Sequence, residues 1–182
     1  MRPHSDPRVV RLEAELGRVR DAFNATLASI PKDRLHATPV GGGWSPAQIV
    51  WHIAKVERGI ARLLERLDSE LAPMVTVPPG PRVDRVLAVL EHIPFLDRSQ
   101  RLKAPEGLRP PETVDLVAEQ AKLVDGRAQL LDAIYVSGPR LSLLRYDHVF
   151  FGPFDGWQWA VSVARHEERH MLQLQEIAAA SR

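Results

Sequence analysis

Apolar residues recur every three or four positions along much of the chain, which is the spacing of one face of an α-helix. The first stripe ends at Pro31 and consists of Val9, Leu12, Leu16, Val19, Phe23, Leu27 and Ile30. The second begins at about Ser45, where Pro46 and Gln48 complete the pattern of a helix start with a capping box. Its members are Ile49, Ile53, Val56, Ile60, Leu63 and Leu67. The two stripes predict two long helices.

Two further helices are predicted in the C-terminal half. The third runs from about Thr113 to Tyr135, with an inner face of Val117, Gln120, Val124, Leu131 and Ile134. Asp155 with Gln158 can cap the fourth, which runs almost to the end of the chain. Its stripe consists of Trp159, Val163, His166, His170, Gln173 and Ile177. The segment 136–156 between these helices is predicted to be a loop.

Residues 71–110 differ from the rest because prolines interrupt them too often for a long helix. This segment is expected to be a crossover with one short helix around Val83, Val86, Leu87 and Leu90. No segment alternates between apolar and polar residues over the length of a typical strand. The sequence therefore predicts an all-α four-helix bundle with a long crossover between helices 2 and 3, in a single domain spanning residues 1–182.

Charge and cysteine content narrow the functional classes. The formal net charge is +1, so nothing favours nucleic acid or an anionic membrane as a partner. The chain has no cysteine, which excludes disulfides, Cys-ligated zinc and a nucleophilic thiol of its own. A thiol in the chemistry would have to come from a cosubstrate. No apolar run reaches the roughly 18 residues that a membrane span needs, and no signal peptide is visible, so we expect a cytoplasmic protein.

The stretch "ARHEERHMLQLQEI" carries the candidate chemistry. His166 and His170 are four residues apart, so both lie on one helix face and can bind a single metal ion. The alternative is that they are buried histidines which only form hydrogen bonds.

The letters also fit H-E-x-x-H, with Glu167 as the general base of a metalloprotease. That interpretation is less favoured, because Glu176, the only candidate ligand downstream, is rotated away. Glu167 is expected to be solvated or to support a metal ligand.

A third metal ligand is expected from upstream. His52 is the best candidate, since it lies at the inner edge of the second helix, and His148 in the preceding loop is the competitor. Three histidines leave coordination positions open, as in catalytic sites, whereas structural zinc sites close with four protein ligands. Gln173 lies one turn beyond His170 and is a candidate to orient an imidazole or to bind a ligand.

Two stretches of the chain resemble the DinB-like (damage-inducible, YfiT-type) family of metal-binding helical bundles. "WSPAQIVWHIAKVE" is similar to the family's Trp-Ser-x-x-x-apolar-x-x-His motif at the start of its second helix. "HVFFGPFDGWQWAVSVARHEERHMLQLQEI" resembles its His-x-x-Phe-Gly loop, its Gln-Trp pair and its terminal His-x-x-x-Arg-His-x-x-Gln motif. In this chain His166 lies only three residues before Arg169, and no proline follows His148.

The resemblance implies that His52, His166 and His170 bind a divalent metal such as zinc or nickel, and that the bundle forms a homodimer. Characterised members of the family include S-transferases and a maleylpyruvate isomerase that use mycothiol or bacillithiol. We therefore expect a metal-dependent, thiol-dependent S-transferase or a hydrolase that acts on a small molecule. The expected partners are that substrate and a low-molecular-weight thiol, not nucleic acid or membrane. A non-catalytic metal-binding or stress-associated bundle is the alternative, and an H-E-x-x-H zinc metalloprotease is a less favoured one.

Overall fold

Four long helices account for most of the chain in the computed structural model, which describes residues 4–100 and 102–180. They are α1 (Pro7–Ala28), α2 (Pro46–Ser69), α3 (Leu116–Ser137) and α4 (Gly156–Ala179). The main packing pairs are α2 with α3, α1 with α4, and α2 with α4. The predicted all-α four-helix bundle, with its long crossover between α2 and α3, is confirmed.

The predicted helix starts are found where the sequence places them. In α2 the Ser45 hydroxyl accepts the backbone N–H of Gln48, whose side chain accepts the N–H of Ser45 in return. Asp155 and Gln158 form the same reciprocal pair at the start of α4. All seven members of the α1 stripe are buried. Local hydrogen-bonding chemistry and periodicity were sufficient to predict these features.

The predicted inner face of α3 is wrong for three of its five residues. Val117 and Val124 are 77% and 69% exposed, and Gln120 is exposed as well. The buried residues of this helix are Glu119, Leu123, Gly126, Leu130, Ala133, Ile134 and Ser137. Glu119 and Gly126 interrupt the apolar pattern of the buried face. Val117 and Val124 form an apolar pattern on the exposed face of the same helix. Gly126 is needed for close packing, because a Cβ there would lie 2.9 Å from Cγ of Arg58.

The connections also differ from expectation. The crossover contains two 3-10 segments, Val83–Ala88 and Glu106–Leu108, where one short helix was expected. The predicted loop before α4 contains a short antiparallel hairpin of β1 (Arg145–His148) and β2 (Gly152–Asp155). Each strand has only four residues, and the first three of β1 are all exposed, so neither shows the alternation that identifies a half-buried strand.

Four charged side chains, one from each helix, meet inside the bundle: Arg20, Glu57, Arg127 and Glu167. We call them the charged layer. Both glutamates are paired with both arginines. Glu57 and Glu167 are 1% and 0% exposed, and the arginines are 11% and 12% exposed. Burial opposes the charge of Arg20, but Glu57 and Glu167 outweigh it, so the pKa of Arg20 is raised.

The charged layer divides the apolar core into two clusters. On one side lie residues such as Val19, Ile60 and Leu130. On the other lie Phe23, Ile53 and Leu123, among others. The two positive and two negative charges of the layer neutralise one another. Both guanidiniums also donate to backbone carbonyls: Nη1 of Arg20 to that of Leu123, and Nη1 of Arg127 to that of Leu16.

No helix within the described ranges combines the length and the apolar character that crossing a bilayer requires. The compartment stays a prediction.

Removing one arginine from the charged layer should destabilise the bundle strongly. Arg127→Met leaves Glu57 and Glu167 sharing a single guanidinium, and breaking a buried ion pair costs about 3–5 kcal/mol. Arg82→Met is the matched control, since the Arg82–Asp84 pair is largely exposed and contributes about 1 kcal/mol or less. Urea unfolding of both variants measures the difference. Equal stability of the two variants would contradict a structural role for the layer.

Candidate metal centre

Three histidines come together between α2 and α4. Nε2 of His52 lies 3.1 Å from Nε2 of His166, which lies 3.2 Å from Nε2 of His170. One ligand atom from each residue fits within 4.8 Å of the other two. His52 and His170 are buried and His166 is half-buried. The arrangement follows from the helical periodicity, which puts His166 and His170 on one face of α4 opposite the inner edge of α2.

Hydrogen bonds on the far side of two of the rings determine which nitrogen carries the proton. Nδ1 of His52 lies 2.7 Å from the carbonyl oxygen of Leu108, and Nδ1 of His170 lies 3.1 Å from Oε1 of Gln173. Carbonyl oxygens only accept hydrogen bonds, so each Nδ1 is the donor. In the neutral ring this leaves the lone pair on Nε2, the nitrogen that faces the other histidines.

This donor set fits a metal ion better than it fits a network of hydrogen bonds. If Nε2 of His166 carries a proton, it can donate to only one neighbour and leaves the lone pair of the other without a donor; if it carries none, both close nitrogen pairs bring lone pairs face to face. A cation removes that repulsion by accepting all three lone pairs. A tetrahedral ion with metal–nitrogen bonds of about 2.0–2.1 Å needs nitrogen atoms roughly 3.3 Å apart, close to the two separations found here.

The three rings are neutral at physiological pH. Burial lowers the pKa of His52, against a smaller opposite effect of its hydrogen bond to Leu108. Burial, followed by the neighbouring His170 and His52, lowers the pKa of His166 well below its ordinary value. Burial likewise lowers the pKa of His170 to about 3. Neutral imidazole is the form that binds metal, so protons do not compete for these nitrogens near pH 7.

The proline-rich crossover forms one side of this site. Leu108, which orients His52, ends the second 3-10 segment of the crossover. Arg169, next to His170 on α4, is buried and donates hydrogen bonds to the carbonyl oxygens of Phe95, Asp97 and Gln100. A single guanidinium therefore ties the crossover to α4 beside the histidines, and it does so through backbone groups.

Trp44 covers the histidine cluster at the entry to α2. Its ring centroid lies 4.7 Å from that of His52 and 6.2 Å from that of His170. Trp44 directly precedes Ser45, the residue that caps α2, so the start of this helix brings the backbone of Trp44 close to the histidines. The helix start thus places an aromatic wall against two of the three candidate ligands.

Two recesses adjoin the cluster, and both are lined in part by Trp44, Leu102, Arg169 and His170. The larger has a volume of about 500 Å³ and is mostly polar. Its other lining residues are Gly41, Gly42, Gly43, Arg98, Gln100, Gln173 and Glu176. The smaller has a volume of about 130 Å³ and is mainly apolar. Its other lining residues are His52, Val56, Phe95, Ala104, Pro105, Leu108, His148, Val149, Phe150, Phe151 and His166.

Two of the sequence-based site predictions concern residues beside the histidines. Gln173 contacts His170, as the sequence suggested it could. Glu167 is not solvated: its side chain is 0% exposed, and its carboxylate is paired with Arg20 and Arg127. A carboxylate neutralised by two guanidiniums is poorly suited to be the general base of an H-E-x-x-H protease, which disfavours that interpretation. The partners of Glu167 lie on α1 and α3, too far away in sequence for local spacing to reveal them.

His148 lies beside the site but outside the group of three. Within the described residues, the set of nitrogen atoms close enough to share an ion comes from His52, His166 and His170. His148 instead packs among Phe95, Phe151, Phe154 and Trp159. His52, rather than His148, therefore supplies the third nitrogen.

Fold and site together define a class of protein: a four-helix bundle with a buried group of three histidines that could hold a metal ion. The chain belongs to the DinB superfamily, whose family model matches residues 15–174. This confirms the resemblance seen in the two sequence motifs.

A solved structure supports the fold. The four-helix bundle protein TT2238 superposes with a TM-score of 0.62 at 24% sequence identity, covering 92% of this chain and 98% of that one. Similarity at this level of identity shows the fold alone. No curated protein matches the chain.

The metal-free protein should lose stability as the pH falls from about 7 to 5. Histidines of the unfolded chain take up protons near pH 6.5, whereas the buried rings stay neutral in the folded chain. The unfolded state therefore binds more protons, and the free energy of unfolding decreases on acidification. Urea unfolding at several pH values measures this slope, and His170→Gln should reduce it. An equal slope in that variant would mean that His170 is not buried in its neutral form.

Proposed function

We propose that this protein is a metal-dependent enzyme that acts on a small molecule through a divalent ion held by His52, His166 and His170. The observation that carries the proposal is the convergence of three Nε2 atoms, two of them deprotonated by hydrogen bonds on the opposite side of the ring. Zinc and nickel are the metals of choice, because imidazole nitrogen suits both. Membership of the DinB superfamily supports the same site.

The number of protein ligands favours catalysis over a purely structural role. A structural zinc site normally has four protein ligands, whereas a catalytic one has three and an open position. What a divalent ion supplies when bound is Lewis acidity, which serves both the activation of water and the activation of a thiol. Leu108 and Gln173 hold two of the imidazoles in place, and Trp44 restricts access from one side.

The two recesses favour a reaction between two molecules, and hence a thiol-dependent S-transferase. The polar recess offers Arg98, Gln100 and Gln173 to a hydrophilic cosubstrate, and the apolar recess can take the acceptor molecule. His170 lines both, so two reactants would meet at the histidines. Because the chain has no cysteine, the thiol would come from that cosubstrate. Hydrolysis is the second candidate, since the polar recess, which His170 lines, would admit water to the site.

An activity test separates these reactions. The zinc- or nickel-loaded protein is incubated with monochlorobimane and a panel of thiols that contains mycothiol, bacillithiol, glutathione and cysteine, and separately with p-nitrophenyl esters without thiol. Conjugation that needs both the metal and one thiol supports the transferase, while ester cleavage without thiol supports the hydrolase. If the loaded protein does neither and yet binds metal, the non-catalytic alternative is favoured.

Metal content should depend on the three histidines. We expect about one equivalent of zinc or nickel after loading and dialysis, and its loss in His52→Ala and His170→Ala, because two remaining ligands hold an ion weakly. Elemental analysis by mass spectrometry measures the content. His92→Ala, which changes an exposed histidine, is the control and should retain the metal. Absence of metal from the wild type, even with added zinc or nickel, would contradict the proposal.

Gln173 should affect metal affinity without being a ligand. Its Oε1 accepts the hydrogen bond that keeps the proton of His170 on Nδ1, and loss of such a partner typically lowers metal affinity about 10–100-fold. Gln173→Leu should show this loss in a competition titration against a chelator. Gln173→Glu keeps the acceptor and should bind at least as tightly as the wild type. Unchanged affinity in the Leu variant would exclude this positioning role.

The homodimer implied by the resemblance and the cytoplasmic location expected from the sequence both stay predictions. Sedimentation velocity at several protein concentrations tests the former, with a single species of twice the chain mass expected.

A further inference from the structure

The ring proton of His148 lies on a different nitrogen from the ring protons of His52 and His170. Its Nδ1 lies 3.2 Å from the backbone nitrogen of Phe150. A backbone amide can only donate, so Nδ1 of His148 is the acceptor and carries the lone pair. Burial lowers the pKa of His148 to about 4, so the ring is neutral near pH 7 and its proton is on Nε2. This tautomer is the opposite of that in His52 and His170, and it makes Nε2 of His148 a hydrogen-bond donor.

Aromatic packing holds the His148 ring in one place. It stacks on Phe151, with centroids 4.9 Å apart and an interplanar angle of 22°. Phe154 and Trp159 pack against it at 4.9 and 5.2 Å, and Trp159 is itself anchored by a hydrogen bond from Nε1 to the carbonyl of Tyr146. The Nδ1 contact to Phe150 closes the turn of the hairpin. Within the described part of the chain, no protein group accepts a hydrogen bond from Nε2 of His148.

The recess that His148 lines has the size of one small apolar group. Its volume is about 130 Å³, and apolar side chains such as Val56, Phe95 and Phe151 form much of its wall. An apolar cavity of about 150 Å³ holds one benzene ring, so this recess suits a single six-membered ring or a compact alkyl group. The candidate metal ligands His52, His166 and His170 line the same recess.

We propose that His148 donates a hydrogen bond from Nε2 to a carbonyl-type oxygen of the substrate, whose compact apolar group, about the size of one six-membered ring, occupies the recess beside it. This inference deepens the proposed function, because it names the substrate class that the three-histidine site would receive. His148 is thus a specificity-determining residue that recognises a hydrogen-bond acceptor on the substrate. A metal ion could bind Nε2 of His148 only if the proton moved to Nδ1. That change of tautomer would break the hydrogen bond from the backbone N–H of Phe150.

The tautomer is tested by nitrogen-15 NMR of the imidazoles in the metal-free protein near pH 7. We expect the proton of His148 on Nε2, and the protons of His52 and His170 on Nδ1. Addition of zinc should then shift the resonances of His52, His166 and His170 and leave the tautomer of His148 unchanged. A proton on Nδ1 of His148 overturns the inference. Failure of the other three to respond to zinc overturns the metal site instead, so the two failures are distinguishable.

Ligand recognition is tested with benzamide, which joins a six-membered ring to a carbonyl oxygen. Benzamide should bind the metal-free protein and shift the His148 resonances, whereas acetamide, which lacks the ring, should bind more weakly. His148→Phe keeps the aromatic packing and removes the donor. It should therefore lower the affinity for benzamide about three- to tenfold, the effect of one hydrogen bond. Toluene has no acceptor, and its binding should be the same in this variant as in the wild type.

Two further variants locate the binding site. Ala104→Phe adds a ring to the lining of the recess and should abolish binding of both benzamide and toluene. His92→Phe is the surface control and should change neither. If His148→Phe lowered the affinities for benzamide and toluene equally, the role of His148 as a hydrogen-bond donor would be overturned. Full binding of benzamide by Ala104→Phe would overturn the assignment of the recess.

Discussion

The charged layer is the constraint on which the arrangement of the four helices depends. Arg20, Glu57, Arg127 and Glu167 each come from a different helix, and each carboxylate is paired with both guanidiniums. Apolar burial is non-directional, whereas a buried carboxylate cannot leave its partners without a large cost. We infer that the layer sets the relative height of the helices. We infer that it also sets the height of the histidines, since His166 directly precedes Glu167 and His52 lies little more than one turn before Glu57.

The candidate metal centre is formed by the helices together with the irregular crossover between α2 and α3. The helices supply the three nitrogen atoms, and the crossover supplies the carbonyl of Leu108 that selects the tautomer of His52. Arg169 holds the crossover against α4 by bonding three of its carbonyl groups. The hairpin adds His148 with the opposite tautomer. The same residue type is thus held in two tautomers beside one another, and the group opposite each ring determines whether its Nε2 accepts or donates.

Local patterns were enough to predict much of the bundle from the sequence. The α1 stripe and the capping boxes at Ser45 and Asp155 involve neighbours within one or two turns, and His166 with His170 is a pair of the same kind. The face of α3 could not be predicted, because a buried Glu119 breaks its apolar pattern and Gly126 packs against Arg58 of α2, a contact that local spacing does not reveal. Leu108 contributes only a backbone carbonyl, which leaves no mark in the sequence. Of the two expectations for Glu167, the solvated one is wrong, because both of its partners are distant in the chain.

Anomalous X-ray diffraction from crystals grown with zinc, recorded on both sides of the zinc absorption edge, tests the central claim most directly. One strong peak bonded to Nε2 of His52, His166 and His170, with no fourth protein ligand and with the open side facing the two recesses, is the result that this account predicts. A peak that includes His148 as a fourth ligand would contradict the catalytic interpretation. The absence of any peak at the three histidines would contradict the metal site itself.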